Sequence, residues 1–174
     1  HGGYAEQVLV NADELVPVPD GVDDAAAVAL ILNYVTAYQA LTRSAQLQPG
    51  QSALVMGASG GVGSALLELL ALHGVQAYGA ASVRHHDFVH SLGATPLDAR
   101  GGPLDRSLRD LVPAGVDAAF DGLGGKFVAQ AVRATRRGGT VVGYGFSSTM
   151  HEGRSDRISL TRGLLALASA PLLM

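Results

Sequence analysis

The run Ala53-Leu54-Val55-Met56-Gly57-Ala58-Ser59-Gly60-Gly61-Val62-Gly63 constrains this chain most. It reads as a buried strand, a glycine turn and the first turn of a helix. Beyond it, Val62, Leu66, Leu69 and His73 fall on one helical face, flanked by Ala65 and Leu70. This is how a doubly wound sheet presents a helix N-terminus to a pyrophosphate, with unpaired N–H groups and the positive end of the helix dipole facing the anion. Small residues let the backbone approach the phosphates, and Gly63 lets the helix pack close to its strand. Against G-x-G-x-x-G the three positions are Ala58, Gly60 and Gly63, so the first glycine is replaced; as small-x-x-Gly-x-x-Gly, Gly57, Gly60 and Gly63 fit fully. The plain alternative is a glycine-rich strand-to-helix turn that binds nothing.

From Ser52 onward strands and helices alternate. The pattern predicts strands at 53–57, 76–80, 95–97, 116–120 and 140–144, and helices at 61–73, 84–92, 104–112 and 124–136. Alternation at this spacing implies parallel strands joined by right-handed crossovers, hence an α/β doubly wound sheet. Pro49-Gly50, Gly74, Gly93, Pro113-Ala114-Gly115 and Gly138-Gly139 punctuate the elements.

The first residues differ. Tyr4 to Val10 has strand character, Asn11-Ala12-Asp13 reads as a turn, and the prolines keep Leu15 to Pro19 extended. Asp23-Asp24 starts a helix that continues from Ala25 to Leu32, and a second helix is expected from Val35 to Thr42. Two short strands form no stable sheet alone, and the chain stops on the apolar run Ala170-Pro171-Leu172-Leu173-Met174. It reads as a piece of a longer protein.

Composition narrows the classes. A hydrophobic share of 48% suits a sheet buried on both faces. A net charge of −3 argues against a nucleic-acid or anionic-membrane partner. The chain has no cysteine, which removes disulfides and cysteine-ligated zinc from these residues and is compatible with a reducing cytoplasm. No signal peptide is visible, and no segment is expected to span a bilayer; Gly163 to Met174 is too short.

Four blocks together resemble the medium-chain dehydrogenase/reductase superfamily, in its zinc-free, zeta-crystallin-like quinone oxidoreductase branch. Gly2-Gly3-Tyr4-Ala5-Glu6 with Pro17-Val18-Pro19-Asp20 resembles the last strands of the family's GroES-like catalytic domain. Ala25-Ala26-Ala27 through Asn33-Tyr34-Val35-Thr36-Ala37-Tyr38 resembles its linker helices. Gly57 to Gly63 is similar to its nucleotide turn, and Phe120-Asp121-Gly122-Leu123-Gly124 with Val142-Gly143-Tyr144-Gly145 to the ends of its fourth and fifth Rossmann strands. The resemblance implies a GroES-like remnant at 1–22, linker helices at 23–50, a Rossmann domain at 51–148 and a variable segment at 149–174. Most of the catalytic half and the last strand of the sheet are absent, so no catalytic residue is assigned.

The cofactor-binding residues expected from the turn are Ser59, Gly60, Gly61 and Val62. An enzyme that prefers NAD places an acid about 20 residues past the glycine turn. Here Ala80-Ala81-Ser82-Val83-Arg84 has no carboxylate. Ser82 can donate to a phosphate and Arg84 offers a charged fork; in the family, a Ser with a nearby basic residue there implies NADPH rather than NADH. Thr36 resembles the linker threonine facing the nicotinamide side, though a helix-cap hydroxyl is the plain alternative. Gly122, Leu123, Tyr144 and Gly145 follow strand ends and should line the cofactor. Asp121 is expected to cap the following turn rather than act as a base. His86 and His90 could share a helical face, but with His85 they read as surface residues and no metal site is expected.

The resemblance thus implies metal-free hydride transfer from NADPH to a small-molecule acceptor, a quinone or an activated alkene, by a cytoplasmic enzyme; members of the superfamily commonly form homodimers, and these residues leave the oligomeric state of the full-length protein open. Two other classes compete. Gly57-Ala58-Ser59-Gly60-Gly61 also satisfies G-x-S-x-G, with Asp121 and His151 following in α/β-hydrolase order; however, that elbow follows several strands. The other is a non-catalytic nucleotide-binding or interaction module.

Overall fold

A computed structural model describes residues 4–147 and the backbone of a small hairpin at 150–151 and 154–155. Its centre is a five-stranded sheet: β1 (Ser52–Met56), β2 (Gln76–Ala81), β3 (Thr95–Asp98), β4 (Val116–Asp121) and β5 (Thr135–Gly143). The strand order is β3-β2-β1-β4-β5 and every pairing is parallel. Helices α1 (Asp24–Gln39), α2 (Gly61–Leu72), α3 (His86–Ser91), α4 (Leu104–Leu111) and α5 (Lys126–Ala134) flank it. The expected α/β Rossmann-type fold is therefore present. A two-stranded antiparallel hairpin, β6 (Met150–His151) and β7 (Arg154–Ser155), follows.

The period-2 alternation of β1 builds two cores. Ala53 and Val55 face a cluster with Phe120, Leu66, Leu67, Leu70 and Val89. Leu54 and Met56 face the other cluster, with Tyr78, Leu97, Leu104, Leu108 and Ala131. Strands buried on both faces explain the high apolar content. Helix α2 buries Gly63, Ala65, Leu66, Leu67 and Leu70. That stripe is rotated from the expected face: Val62 and Leu69 are only partly buried and His73 is exposed.

Several elements differ from expectation. Residues 4–22 contain one 3-10 turn, Ala12–Glu14, and no strand; Asn11 and Leu15 have extended backbone, but no described segment supplies a ladder. The two expected linker helices are one. Asp23 caps α1 by accepting from the Ala26 amide, and the helix runs through residue 34 into a π-helical turn, Ala40–Ala45. With no proline or glycine between Asp24 and Ala45, nothing breaks the backbone hydrogen-bond ladder. The resulting 22-residue helix is long and apolar enough to cross a membrane by length and composition, contrary to the expectation above, yet Ala37, Ala40 and Leu41 tie it to the core. The expected 84–92 helix opens as a 3-10 turn, Val83–His85, before α3. Strand β5 starts at Thr135, five residues early, because Thr135 pairs with Val116 and the ladder resumes at Thr140 opposite Ala118. Gly138 and Gly139 lie in that bulge rather than in a turn between elements.

Asp117 stitches the entrances of three strands. Its carboxylate accepts from the Ser52 amide at 2.8 Å, the Ser52 hydroxyl at 3.0 Å and Arg136 Nε at 2.8 Å. Burial pushes its pKa up, but Arg136 and the two Ser52 donors outweigh this and hold it below the ordinary value. Asp117→Ala is expected to cost about 2 kcal/mol by leaving half-buried donors unmatched, read as a lower urea midpoint with unchanged slope; an unchanged midpoint would refute the stitch.

Candidate functional site

The chain runs β1 to β2 to β3 on one side and returns through β4 and β5 on the other. This reversal opens a crevice beyond the carboxyl ends of β1 and β4, where ligands bind in open α/β sheets. The crevice is a cavity of about 350 Å³, lined by Met56, Gly57, Ser59, Gly60, Gly61, Val62, Gly63, Gly122, Leu123, Tyr144 and Ser147.

The glycine turn builds its floor. Gly57 has φ +75°, and its carbonyl accepts from the Gly60 amide at 3.0 Å. A Cβ on Gly63 would stand 2.2 Å from that same carbonyl oxygen and 2.9 Å from Ala58 Cα. No side chain fits there, so α2 sits as close to β1 as backbone can. Gly60 caps α2 without a side chain, and the amides of Gly61, Val62 and Gly63 find no acceptor among the described residues. These orphan donors and the helix dipole form an anion site. The turn also touches the end of β2, where the Ala58 amide donates to the Ala80 carbonyl at 3.1 Å.

The opposite wall comes from β4 and β5. Asp121 is 2% exposed, and its Oδ1 accepts from the amides of Leu123 at 2.8 Å and Gly124 at 3.1 Å. Burial raises its pKa, and these two amides only partly offset that. The carboxylate is thus consumed in shaping the turn, as expected. The Tyr144 ring packs on Gly122, where a Cβ would stand 2.6 Å from Cε2, and its hydroxyl reaches the Met56 carbonyl at 3.4 Å. Burial first, and then the Asp121 charge, push the Tyr144 phenol far up, so it stays a donor. Gly145 lies behind this wall, its Cβ position 2.7 Å from the Gly122 carbonyl.

Of the residues expected to bind cofactor, Ser59, Gly60, Gly61, Val62, Gly122, Leu123 and Tyr144 meet in the crevice. Gly145, Thr36, Ser82 and Arg84 are not in its lining. Thr36 lies inside α1, where its hydroxyl donates to the Leu32 carbonyl at 2.7 Å, so it is no helix cap. Ser82 follows β2 and precedes the 3-10 turn with no capping hydrogen bond, and the exposed Arg84 donates from Nε to His85 Nε2 at 3.1 Å. Met56, Gly57, Gly63 and Ser147 join the lining. Gly57 and Gly63 were legible as motif members; Ser147, held by its hydroxyl to the Gly122 carbonyl at 3.1 Å, had no sequence signal. The G-x-S-x-G reading loses its acid, because the Asp121 carboxylate faces backbone amides, and its turn follows the first strand of the sheet. The His151 side chain and most of 149–174 lie outside the described residues. Among the described residues no three His, Asp or Glu side chains cluster as a metal site.

Comparison with known proteins agrees with this geometry. The family model described as zinc-binding dehydrogenase matches residues 61–168. The human synaptic vesicle membrane protein VAT-1 homolog is 32% identical over 163 residues, 92% of this chain and 42% of that protein. Rat quinone oxidoreductase is 29% identical over 170 residues, 96% of this chain and 52% of its own length. The crystal structure of the CurK enoyl reductase superposes with a TM-score of 0.72 at 26% identity, covering 79% of this chain and 42% of that one. The chain thus spans about half the length, or less, of these relatives.

Asp121→Asn keeps an acceptor for the Leu123 and Gly124 amides and removes the ionisation. A raised pKa means the folded state holds the proton more tightly than the unfolded chain. Relative to Asp121→Asn, the native chain should therefore lose stability as pH climbs from below the ordinary aspartate value through the raised folded value. Urea unfolding of both from about pH 3 to about pH 7 reads this; a constant difference would show that burial does not shift the group.

Proposed function

The chain belongs to the medium-chain dehydrogenase/reductase superfamily, in its quinone oxidoreductase-like branch, and from that premise we propose that it is the NADPH-binding half of a metal-free oxidoreductase acting on a quinone or an activated alkene. The observation that carries the reading is the bare-backbone cradle at Gly57–Gly63, where even a methyl group at Gly63 meets the Gly57 carbonyl at 2.2 Å. A dinucleotide pyrophosphate matches three orphan amides at a helix N-terminus in charge and size.

In this reading the amides of Gly61, Val62 and Gly63 hold the pyrophosphate. Ser82 and Arg84, beside the end of β2, hold a 2′-phosphate, since no carboxylate stands at 80–84 to favour a free ribose hydroxyl. Gly122, Leu123 and Tyr144 wall the crevice, Gly145 backs that wall, and the family resemblance assigns Thr36 on α1 to the nicotinamide side. Bound NADPH supplies the hydride. The chain's own residues bind, orient and exclude water. The acceptor class draws support from the names of two relatives, one a quinone oxidoreductase and one an enoyl reductase. The rest of the substrate pocket belongs to the remainder of a longer cytoplasmic enzyme. Val28, Ile31, Leu32 and Val35 on α1 are at least half exposed, and in this reading that remainder, about half the parent protein, covers them.

Titration calorimetry with NADPH and NADH, on the native chain and Arg84→Ala, tests the proposal. Tighter binding of NADPH is expected, with the preference reduced at least about tenfold in Arg84→Ala, or about 1.4 kcal/mol. Failure of either nucleotide to bind would overturn it, and equal affinities would remove the 2′-phosphate assignment.

A further inference from the structure

Gly61 has no backbone reason to be glycine. It is the first helical residue of α2 and is not among the residues with positive φ. The group a side chain there would meet is the movable end of Asn33, not backbone. A Cβ on Gly61 would lie 2.7 Å from Asn33 Nδ2 and 3.0 Å from both Cγ and Oδ1. The carboxamide therefore lies beside the first residue of α2, in the space a side chain at Gly61 would take and at the margin of the crevice lining.

Asn33 is half-buried, and its side chain makes no hydrogen bond to any described residue. Its neighbours on α1 are occupied: the Tyr34 hydroxyl donates to Glu68 on α2, and Thr36 donates to the Leu32 carbonyl. Tyr34 thus fastens α1 to α2, and the residue before it is left with two N–H donors beside the amides of Gly61, Val62 and Gly63. A carboxamide carries no charge and can turn its NH2 toward an anion without a counter-ion.

We infer that Asn33 is a binding residue of the nucleotide site, donating from Nδ2 to the pyrophosphate held by the first turn of α2. The inference rests on the dinucleotide reading above and adds a donor from a different helix to a cradle otherwise made of backbone. Asn33→Asp keeps size and polarity but replaces the donor with an anion, so it should harm binding more than Asn33→Ala.

The test titrates the full chain, Asn33→Ala and Asn33→Asp with NADPH and with adenosine 2′-monophosphate, which has the 2′-phosphate and no pyrophosphate. Unfolding midpoints by circular dichroism check that each variant is folded. NADPH is expected to weaken about tenfold in Asn33→Ala and about a hundredfold in Asn33→Asp, while adenosine 2′-monophosphate binds all three equally. Equal NADPH binding by all three overturns this inference alone and leaves Asn33 as a filler above Gly61. A native chain that binds neither ligand overturns the dinucleotide reading and this inference with it. If Asn33→Ala does not fold, Asn33→Leu, which keeps the volume and removes the donor without adding charge, decides: selective loss of NADPH supports the donor, and unchanged NADPH binding or equal loss of both ligands overturns it.

Discussion

The contact between the Gly57 carbonyl and the first turn of α2 governs this molecule. A helix can come this close to a strand only where Gly63 offers bare backbone. That closeness fixes where the helix axis points, and the axis points its uncapped end at the crevice. The same approach brings Ala65, Leu66 and Leu67 onto the sheet, where they are fully buried with Val55 and Phe120. One steric fact therefore sets both the packing of the core and the position of the anion site.

Around that contact the site is assembled from pieces distant in sequence. Asp121 spends its carboxylate on two backbone amides, which fixes the turn carrying Gly122 and Leu123. Gly122 is bare so that the hydroxyl end of the Tyr144 ring can pack against it and reach the end of β1. The wall opposite the glycine turn is thus a set of mutual accommodations, with a small residue wherever a large neighbour needs room.

Much of this was legible in the sequence, for specific reasons. The glycine turn, the strand ends at Asp121 and Gly143 and the alternation of elements are local patterns, and local patterns survive without tertiary knowledge. Seven of the expected binding residues meet in one crevice. Ser147 is not legible because its position depends on contacts across the fold. The split of α1 into two helices was an error of composition. Asn33-Tyr34-Val35 weakens helical propensity only slightly, and the packing of Ala37, Ala40 and Leu41 outweighs it. The early start of β5 could not be read either, since a bulge of glycines and arginines looks like a turn until its partner strand is known. Strand character in residues 4–10 is a potential that needs a neighbouring strand to be realised.

Strand β5 pairs with β4 on one side, and the described residues put nothing on the other. A row of unpaired amides and carbonyls from Thr140 to Gly143 is a template for any extended segment of matching length. Arg137 stands exposed at its first half, next to the Asp117-paired Arg136, where like charge on a second copy would repel. The apolar second half, with Val141 and Val142, has no such guard. The least guarded edge of the described sheet is therefore a stretch of backbone about four residues long, remote from the nucleotide cradle and independent of how well that cradle is formed.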